Sequence, residues 1–388
     1  MMRPTKRSLE EGKGAEKKRS KVNPVPQKLP HGLINQGATC YLNSVLQVLF
    51  MTKKLHDRLD PESKITDQKL KQIFEDLKRT TCETDNITDC LQITDVYEQR
   101  DASGCLEDIL RKISRGASKI FQGELTYTTT CSEGHVIILE TNPFWTLPLS
   151  LKDAHGSHYS VEKGFERIFQ TKTFSGNNMV FCKDCKQKRE ASSGCEMEKF
   201  PQILILLLRR FDFDYVTMSD IKSNCSVNIP STLQTKGKKY ELYSIVDHRG
   251  SLRGGHYTAT VLSTEDNVWY EFDDCHVQKA EEQLFEKVNT YSSSTAYLLM
   301  YREKTARRVK PERVSEDEEN IPLKQKAEDD VINETPKRQK KDIQPGDKNP
   351  ANTCSLHTIL RNPFVMFFIV FGAALIVIVP ILITSFTN

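Results

Sequence analysis

Apolar residues recur every three or four positions in three early stretches of the chain. This spacing predicts helices over Asn43 to Lys54, Gln68 to Thr80 and Asp101 to Ser114. After Gly123 the pattern changes to short runs of large apolar residues bounded by turn residues, which predict strands. The runs are "VIILE", "ILILLL", "KYELYSIV", "HYTATVL", "VWYEF" and "AYLLMY". Helices followed by strands, without regular alternation, predict an α+β fold.

The two ends of the chain lack this globular pattern. Residues 1–30 carry nine lysines and arginines against three acidic residues and few large apolar ones, so we expect a disordered basic tail. "KRSLEEGKGAEKKRSK" resembles a two-part nuclear import signal, although a solvated basic tail is the favoured explanation. Residues 303–361 are rich in both charges and predict a flexible linker. The globular domain is expected over residues 31–302.

A final apolar segment predicts a membrane anchor within residues 362–388. Phe364 to Ile383 are twenty residues without a charge, and a helix of about 1.5 Å per residue would cross roughly 30 Å of hydrocarbon. The basic cluster "KRQKK" precedes it, which favours a cytosolic position for everything before the span. We therefore expect a single-pass, tail-anchored protein of the endoplasmic reticulum or the outer mitochondrial membrane. The import-like motif leaves the nucleus as a weaker alternative.

Cysteine usage narrows the candidate chemistry. The chain has 11 cysteines in no regular framework, and its basic amino terminus does not resemble a secretory signal. In a reducing compartment cysteines serve as core residues, metal ligands or nucleophiles. The formal net charge of +3 does not indicate a nucleic-acid partner.

One cysteine stands at the start of a predicted helix, in "LINQGATCYLNSVLQVLF". Unpaired backbone N–H groups and the helix dipole favour a thiolate at such a position, so Cys40 is a candidate nucleophile. Asn35 lies five residues upstream and could direct its amide at an oxyanion formed beside the sulfur. The alternative is an inert, buried helical cysteine.

A base and an orienting acid are predicted near the carboxyl end of the domain. His256 follows two glycines in "RGGHYTATV", and Asp273 and Asp274 follow the next strand in "WYEFDDCHV". A hairpin of these two strands would bring Asp273 beside His256, as nucleophilic catalysis requires. The alternatives are ordinary turn residues in both places.

These two motifs resemble the cysteine and histidine boxes of the ubiquitin-specific proteases, a papain-like peptidase family. "EQRDASGCLEDIL", "NPFWTLPLSL", "FPQILILLLRRFDFD" and "AYLLMY" follow in the family's order, and the resemblance covers about residues 31–302. It implies a papain-like cysteine peptidase fold with thumb, palm and fingers subdomains. It also implies hydrolysis at the C-terminal glycine of ubiquitin, with ubiquitin and ubiquitinated proteins as partners and no cofactor for catalysis.

The resemblance assigns roles to individual residues. It implies that Cys40 is the nucleophile, His256 the general base, Asp273 the orienting acid and Asn35 the oxyanion-hole side chain. The residues implied to hold the tail of ubiquitin are Asp101 and Tyr257.

Two departures from the family pattern support an alternative function. Gly104 replaces a usual acidic residue, which predicts a weaker local hydrogen bond or helix cap, and Arg100 replaces a common glutamine beside Asp101. A ubiquitin-binding module of the same fold, with little or no turnover, is therefore the alternative.

A second cysteine pattern predicts a zinc site. Cys182 and Cys185 in "FCKDCK" have the spacing of a zinc half-site, and Cys131 and His135 in "TCSEGH" offer two more ligands. Members of the family often hold a structural zinc in the fingers through two cysteine pairs, but Gly134 occupies the place of the fourth cysteine here. Two outcomes stay open: a Cys3His zinc site, or a site that holds no metal. A metal-dependent scaffold built on this cluster is the third functional hypothesis.

Overall fold

A computed structural model describes residues 29–151, 158–252, 254–281, 283–285 and 288–304 of the 388-residue chain. All of these residues belong to the first of two compact units, residues 1–310. The second unit, residues 311–388, lies outside the described residues. The predicted anchor, nearly all of the predicted linker and all of the basic tail except its last two residues likewise lie outside them.

The described chain contains seven α-helices, most of them in its first third. They are α1 Cys40–Met51, α2 Lys53–His56, α3 Ile65–Leu77, α4 Asp85–Leu91, α5 Ala102–Lys112, α6 Arg115–Ser118 and α7 Val161–Ile168. The first predicted helix was placed three residues late at its start, because Cys40, Tyr41 and Leu42 are buried as well and continue the apolar surface. It also ended too late, since Thr52 separates α1 from α2.

One helix contradicts the predicted order of helices first and strands afterwards. Helix α7 lies among the strands, and the Ser160 side chain caps it by accepting a hydrogen bond from the Lys163 backbone N–H at 3.3 Å. Its eight residues are too few to give a clear periodic signal in the sequence.

The strands carry most of the remaining fold. They are β1 Gly123–Cys131, β2 Val136–Phe144, β3 Thr146–Ser150, β4 His158–Ser160, β5 Lys172–Phe174, β6 Val180–Cys182, β7 Gln187–Arg189, β8 Ala191–Lys199, β9 Ile203–Arg209, β10 Phe211–Asp214, β11 Ser219–Lys222, β12 Ser226–Pro230, β13 Thr232–Thr235, β14 Lys238–Ser251, β15 Gly254–Leu262, β16 Trp269–Asp273, β17 His276–Lys279, β18 Thr290–Ser293 and β19 Ala296–Glu303. Each of the six runs predicted as strands falls on a strand, and the α+β class is confirmed.

The largest sheet has eight strands in the order β17-β16-β15-β14-β19-β9-β3, with β13 paired to β14. All of its neighbours are antiparallel except β3 and β9. Along β9, Ile203 and Ile205 join an apolar cluster with the helices, whereas Leu204 and Leu206 join a cluster on the opposite face. Burial on both faces explains why this strand reads as an unbroken apolar run.

A smaller sheet, in the order β2-β1-β8-β5, and the β6-β7 hairpin form a separate region of the fold. β2 is an edge strand on which Val136, Ile138 and Leu139 are exposed. The small β18-β12-β4 sheet and the β10-β11 hairpin complete the strand pairings of the described residues. Within these residues, none of the helices has the length and apolar character needed to cross a membrane.

Candidate functional site

Helix α1 begins with Cys40 and buries it. The helix packs against β15, and Cys40 is its first residue, with only 3% of its surface exposed. Helix α1 is apolar on nearly all sides because it lies between α5 and the large sheet. The thiol therefore occupies the helix terminus that the sequence predicts.

The predicted hairpin brings His256 and Asp273 together. His256 lies near the start of β15, Asp273 ends the neighbouring strand β16, and the Nε2 atom of His256 lies 2.6 Å from Oδ1 of Asp273. About half of each side chain is exposed, 41% and 51% respectively. With its Nε2–H donated to the carboxylate, the neutral imidazole carries its lone pair on Nδ1, which is the atom that can accept a proton.

The surroundings of Cys40 act on its pKa in opposite directions. Burial raises the pKa of the Cys40 thiol, the backbone N–H of Tyr257 offsets part of this rise, and the Asp274 carboxylate adds to it. No hydrogen bond joins Cys40 to His256 among the described side chains. Burial and the Asp274 carboxylate therefore oppose the thiolate that the helix terminus and the Tyr257 N–H favour.

Asn35 organises the loop that leads into α1. Its Oδ1 accepts hydrogen bonds from the backbone N–H groups of Gly37 and Thr39 at 2.9 and 3.0 Å. Its Nδ2 donates to Oδ2 of Asp274 at 2.9 Å. One amide hydrogen of Asn35 is therefore committed to Asp274, and only the other remains for an oxyanion.

Asp274 connects the loop and helix around Cys40 with the strand that ends at Asp273. One of its partners, Asn43, had no predicted role. Oδ1 of Asp274 accepts from Nδ2 of Asn43 at 2.8 Å, and the Asp274 backbone oxygen accepts from the Leu33 N–H at 2.9 Å. Asp274 itself has a left-handed backbone, with φ of 51°. Asn43 lies three residues after Cys40, so it lies about one helical turn beyond the thiol. That spacing was the only signal in the sequence that could have identified it.

The two residues implied to hold a substrate tail contact each other. Oδ1 of Asp101 accepts hydrogen bonds from the hydroxyls of Tyr257, at 3.4 Å, and of Tyr297. Burial, and then the Asp101 carboxylate, raises the pKa of both tyrosines, so both hydroxyls are donors. Tyr297 had no predicted role.

Helix α5 keeps its N-terminal cap, although the sequence predicts a weaker cap at Gly104. Oδ2 of Asp101 accepts a hydrogen bond from the Gly104 backbone N–H at 2.8 Å and caps α5. Because the donor is a backbone group, the missing acidic side chain costs no cap. Arg100 pairs with Glu98 at 2.9 Å, so part of its charge is neutralised locally.

The four predicted zinc ligands meet at one point. Cys131 ends β1, Cys182 ends β6, and Cys185 lies in the turn before β7. Their sulfur atoms lie 3.5, 3.8 and 3.3 Å from Nδ1 of His135, and all four ligand atoms are within 4.8 Å of one another. Tetrahedral zinc with bonds of about 2.1 to 2.3 Å requires ligand separations of this size. The donor set therefore fits zinc.

The electrostatics of the cluster also suit metal-bound thiolates. Although desolvation opposes it, hydrogen bonds from the backbone N–H groups of His135 and Glu133 and from Cys182 lower the pKa of Cys131 to about 7. Desolvation and the neighbouring sulfurs raise the pKa of Cys185 to about 11. Crowded sulfurs cannot all ionise without a cation between them.

Comparison with known proteins gives one family throughout. The model of the ubiquitin carboxyl-terminal hydrolase family matches residues 31–301. Ubiquitin carboxyl-terminal hydrolase 47 of Xenopus tropicalis is 27% identical over 379 residues, covering 71% of this chain and 28% of that protein. The Homo sapiens protein of the same name is 27% identical over 437 residues, covering 86% of this chain and 31% of its own length. The chain thus spans less than a third of these relatives.

Solved structures agree on the fold. The SAGA Ubp8/Sgf11/Sus1/Sgf73 DUB module bound to ubiquitin aldehyde contains a chain that matches with a TM-score of 0.57 and 20% identity, covering 71% of this chain and 70% of that one. This likeness confirms the predicted papain-like catalytic fold. We call the smaller sheet of this chain, together with the β6-β7 hairpin, the fingers.

Proposed function

The chain belongs to the ubiquitin carboxyl-terminal hydrolase family, and we propose that it is a cysteine peptidase that cleaves the bond after the C-terminal glycine of ubiquitin. The observation that carries the proposal is the position of Tyr257. Its backbone N–H interacts with the Cys40 sulfur, and its neighbour His256 is paired with Asp273. Nucleophile, base and orienting acid thus lie close together, as acyl transfer requires. We call this site the cleft and define it by Asn35, Cys40, Asn43, His256, Asp273 and Asp274.

Catalysis requires that Cys40 lose its proton. Nδ1 of His256 takes the proton of Cys40 as the sulfur attacks the glycine carbonyl carbon, and the carbonyl electron pair moves onto oxygen. Asp273 orients the imidazole and stabilises the imidazolium that forms. The second amide hydrogen of Asn35 and the N–H groups at the start of α1 stabilise the oxyanion.

The remaining steps return the enzyme to its starting state. The imidazolium protonates the leaving amine, the carbon–nitrogen bond breaks, and ubiquitin remains on Cys40 as a thioester. His256 then takes a proton from water, whose oxygen attacks the thioester carbonyl. The thiolate leaves and is reprotonated, which releases the carboxylate of ubiquitin. Asp101 and Tyr257 border the cleft and supply polar contacts for the tail of ubiquitin.

A C-terminally electrophilic ubiquitin tests this activity. The full-length chain should form a covalent adduct, and Cys40→Ala should not, whereas Cys90→Ala, which alters a half-buried cysteine of α4, should label like the wild type. Turnover of a fluorogenic ubiquitin amide should require Cys40 and His256. Tight ubiquitin binding without labelling or turnover would instead favour the binding module.

We also infer a structural zinc in the fingers, held by Cys131, His135, Cys182 and Cys185. The convergence of the four ligand atoms supports it. When bound, zinc would join the turn after β1 to the β6-β7 hairpin and would take no part in the chemistry at Cys40. A preparation that folds normally and contains no zinc would contradict this inference and the scaffold hypothesis together.

For localisation, we propose that residues 364–383 span a membrane, with the peptidase domain on the cytosolic side. The length of this uncharged segment and the basic cluster before it support the proposal. The endoplasmic reticulum and the outer mitochondrial membrane are the candidate membranes. The full chain should stay in the membrane pellet after alkaline carbonate extraction, and a chain lacking residues 362–388 should not. Release of both forms would rule out the span.

A further inference from the structure

A short segment of chain touches both halves of the candidate site. We call it the strap and define it as Asp95 to Arg100, which follows α4 and leads into α5. Its Gln99 side chain forms two reciprocal hydrogen bonds with the backbone of Gly255. Nε2 of Gln99 donates to the Gly255 oxygen at 3.0 Å, and the Gly255 N–H donates to Oε1 of Gln99 at 2.9 Å.

The other end of the strap is tied to the loop before Cys40. The backbone oxygen of Val96 accepts a hydrogen bond from the Ala38 N–H at 2.7 Å. The Tyr97 ring lies so close to Gly37 that an added Cβ would come within 2.6 Å of it, and Gly37 has a φ of 151°. The strap thus contacts residues two and three positions before Cys40 and one position before His256.

The strand that carries His256 depends on this contact. Gly254 and Gly255 begin β15, and glycine has more backbone freedom than any other residue. Gly255 cannot carry a side chain, because an added Cβ would lie 2.0 Å from Nε2 of the buried His248. With no side chain of its own to pack, Gly255 is fixed on this side by the Gln99 amide.

We propose that Gln99 is a positioning residue, which fixes Gly255 and thereby holds the His256 imidazole in register with the loop that carries Cys40. The proposal rests on the function proposed above. His256 and Cys40 share no direct hydrogen bond among the described contacts. The distance between their side chains therefore depends on segments, such as the strap, that contact the backbone beside both residues. Small errors in the placement of a base cost large factors in rate.

Turnover of a ubiquitin amide tests the proposal in the full-length chain. Gln99→Ala removes both hydrogen bonds, and kcat should fall roughly 10- to 30-fold with little change in KM. Gln99→Glu keeps the acceptor for the Gly255 N–H but loses the donor, so its kcat should lie between those of Gln99→Ala and the wild type. Gln72→Ala is the matched control, because Gln72 is exposed on α3 and bonds to Asp76. It should have wild-type kcat.

Hydrogen exchange separates positioning from activity. In Gln99→Ala the Gly255 amide should exchange at least about tenfold faster, while amides of α3 keep their protection. Unchanged exchange at Gly255, an unchanged kcat, or a rise in KM alone would each overturn the proposal. If the wild type has no turnover but Gly255 exchange still quickens, the proposed function fails and the positioning contact stands.

Discussion

Cysteine and histidine meet in two regions of this molecule, and they meet differently. In the fingers, three sulfur atoms surround Nδ1 of one histidine, His135, at 3.3 to 3.8 Å. In the cleft, His256 is bonded to the Asp273 carboxylate, and the single thiol of Cys40 is buried beside it without a hydrogen bond to the ring. The first arrangement suits thiolates that share a cation, whereas the second leaves the thiol without a hydrogen bond to the base.

The two regions are also assembled from different lengths of chain. The fingers cluster joins two local pairs, each closed by a tight turn. The cleft joins residues 35–43 to residues 256 and 273–274, which lie more than two hundred positions further along the chain. A local pair is visible in the sequence as a spacing, but a remote constellation is visible only as separate motifs.

The largest expected contrast lies between the two histidines. His256→Ala should lower kcat for a ubiquitin amide about a thousandfold, because the base of the cleft is lost. His135→Ala should leave kcat per folded molecule unchanged, since no step uses the fingers. Steady-state kinetics on both variants checks this. Equal losses would show that the two regions do not act separately.

Loss of zinc should appear as a loss of stability. Cys182→Ser should abolish stoichiometric zinc and lower the free energy of unfolding by more than about 3 kcal/mol, because metal binding is coupled to folding. Cys225→Ser changes a half-buried cysteine outside the cluster and should retain the metal. Metal analysis and denaturant unfolding provide the readouts. Zinc retained in Cys182→Ser would contradict the assigned ligands.

A third histidine, His248, differs from both. Among the described residues it belongs to no cluster of metal ligands and forms no hydrogen bond with a carboxylate. Burial, and then the charges of Lys222 and His256, lowers its pKa to about 4. Its Nδ1 has no hydrogen-bond partner within the described part of the chain. The unfolded chain, with a histidine pKa of about 6.5, binds more protons than the folded protein between pH 6.5 and 4.

The free energy of unfolding should therefore decrease as the pH is lowered from 6.5 to 4, and this residue should account for up to about 3 kcal/mol of the decrease. His248→Phe keeps the ring packed against Phe211 and should lose less stability between pH 7 and pH 4 than the wild type. His276→Phe, at an exposed histidine, should follow the wild-type curve. Parallel curves for His248→Phe and the wild type would refute the assignment.

Asp274→Asn should change the cleft in two opposite directions. It weakens the acceptor of Asn35 and Asn43, so kcat should fall about tenfold. It also removes a charge that raises the pKa of Cys40. More thiolate is then present at any pH below that pKa, and alkylation of Cys40 by iodoacetamide should be faster at pH 8. Asp108→Asn alters an exposed residue of α5 and should change neither kcat nor the rate of alkylation. Slower alkylation in Asp274→Asn would show that the charge has the opposite effect.

The smallest contrast involves one glycine from each region. Gly104 lies in α5 with no close contact at its Cβ position, so Gly104→Ala should stabilise the protein by about 0.5 to 1 kcal/mol. Gly134 lies in the fingers turn with φ of 87°, so Gly134→Ala should destabilise it by about 1 kcal/mol. Thermal unfolding of both variants measures the difference. The same sign for both would contradict their backbone geometries.

Much of the framework could be predicted from periodicity alone. The six strand runs and the β15-β16 hairpin are present because alternation and unbroken apolar runs report directly on sheet faces. Helix boundaries were less accurate, and α4, α6 and α7 were missed, since four to eight residues hold too few turns for a clear pattern. Cys182 and Cys185, whose spacing predicts a zinc half-site, lie in one cluster in the structure.

What the sequence determined by itself was therefore local: the α+β class, a helix next to Cys40, the strands around His256 and Asp273, and the cysteine half-sites. The tertiary structure alone decided that Asn35 and Asn43 share the Asp274 carboxylate, that Gln99 bonds to Gly255, and that burial raises the pKa of Cys40. The reason is physical. Periodicity encodes which face of an element avoids water, but partner choice across a cleft and the cost of desolvating a charge depend on how all elements pack together.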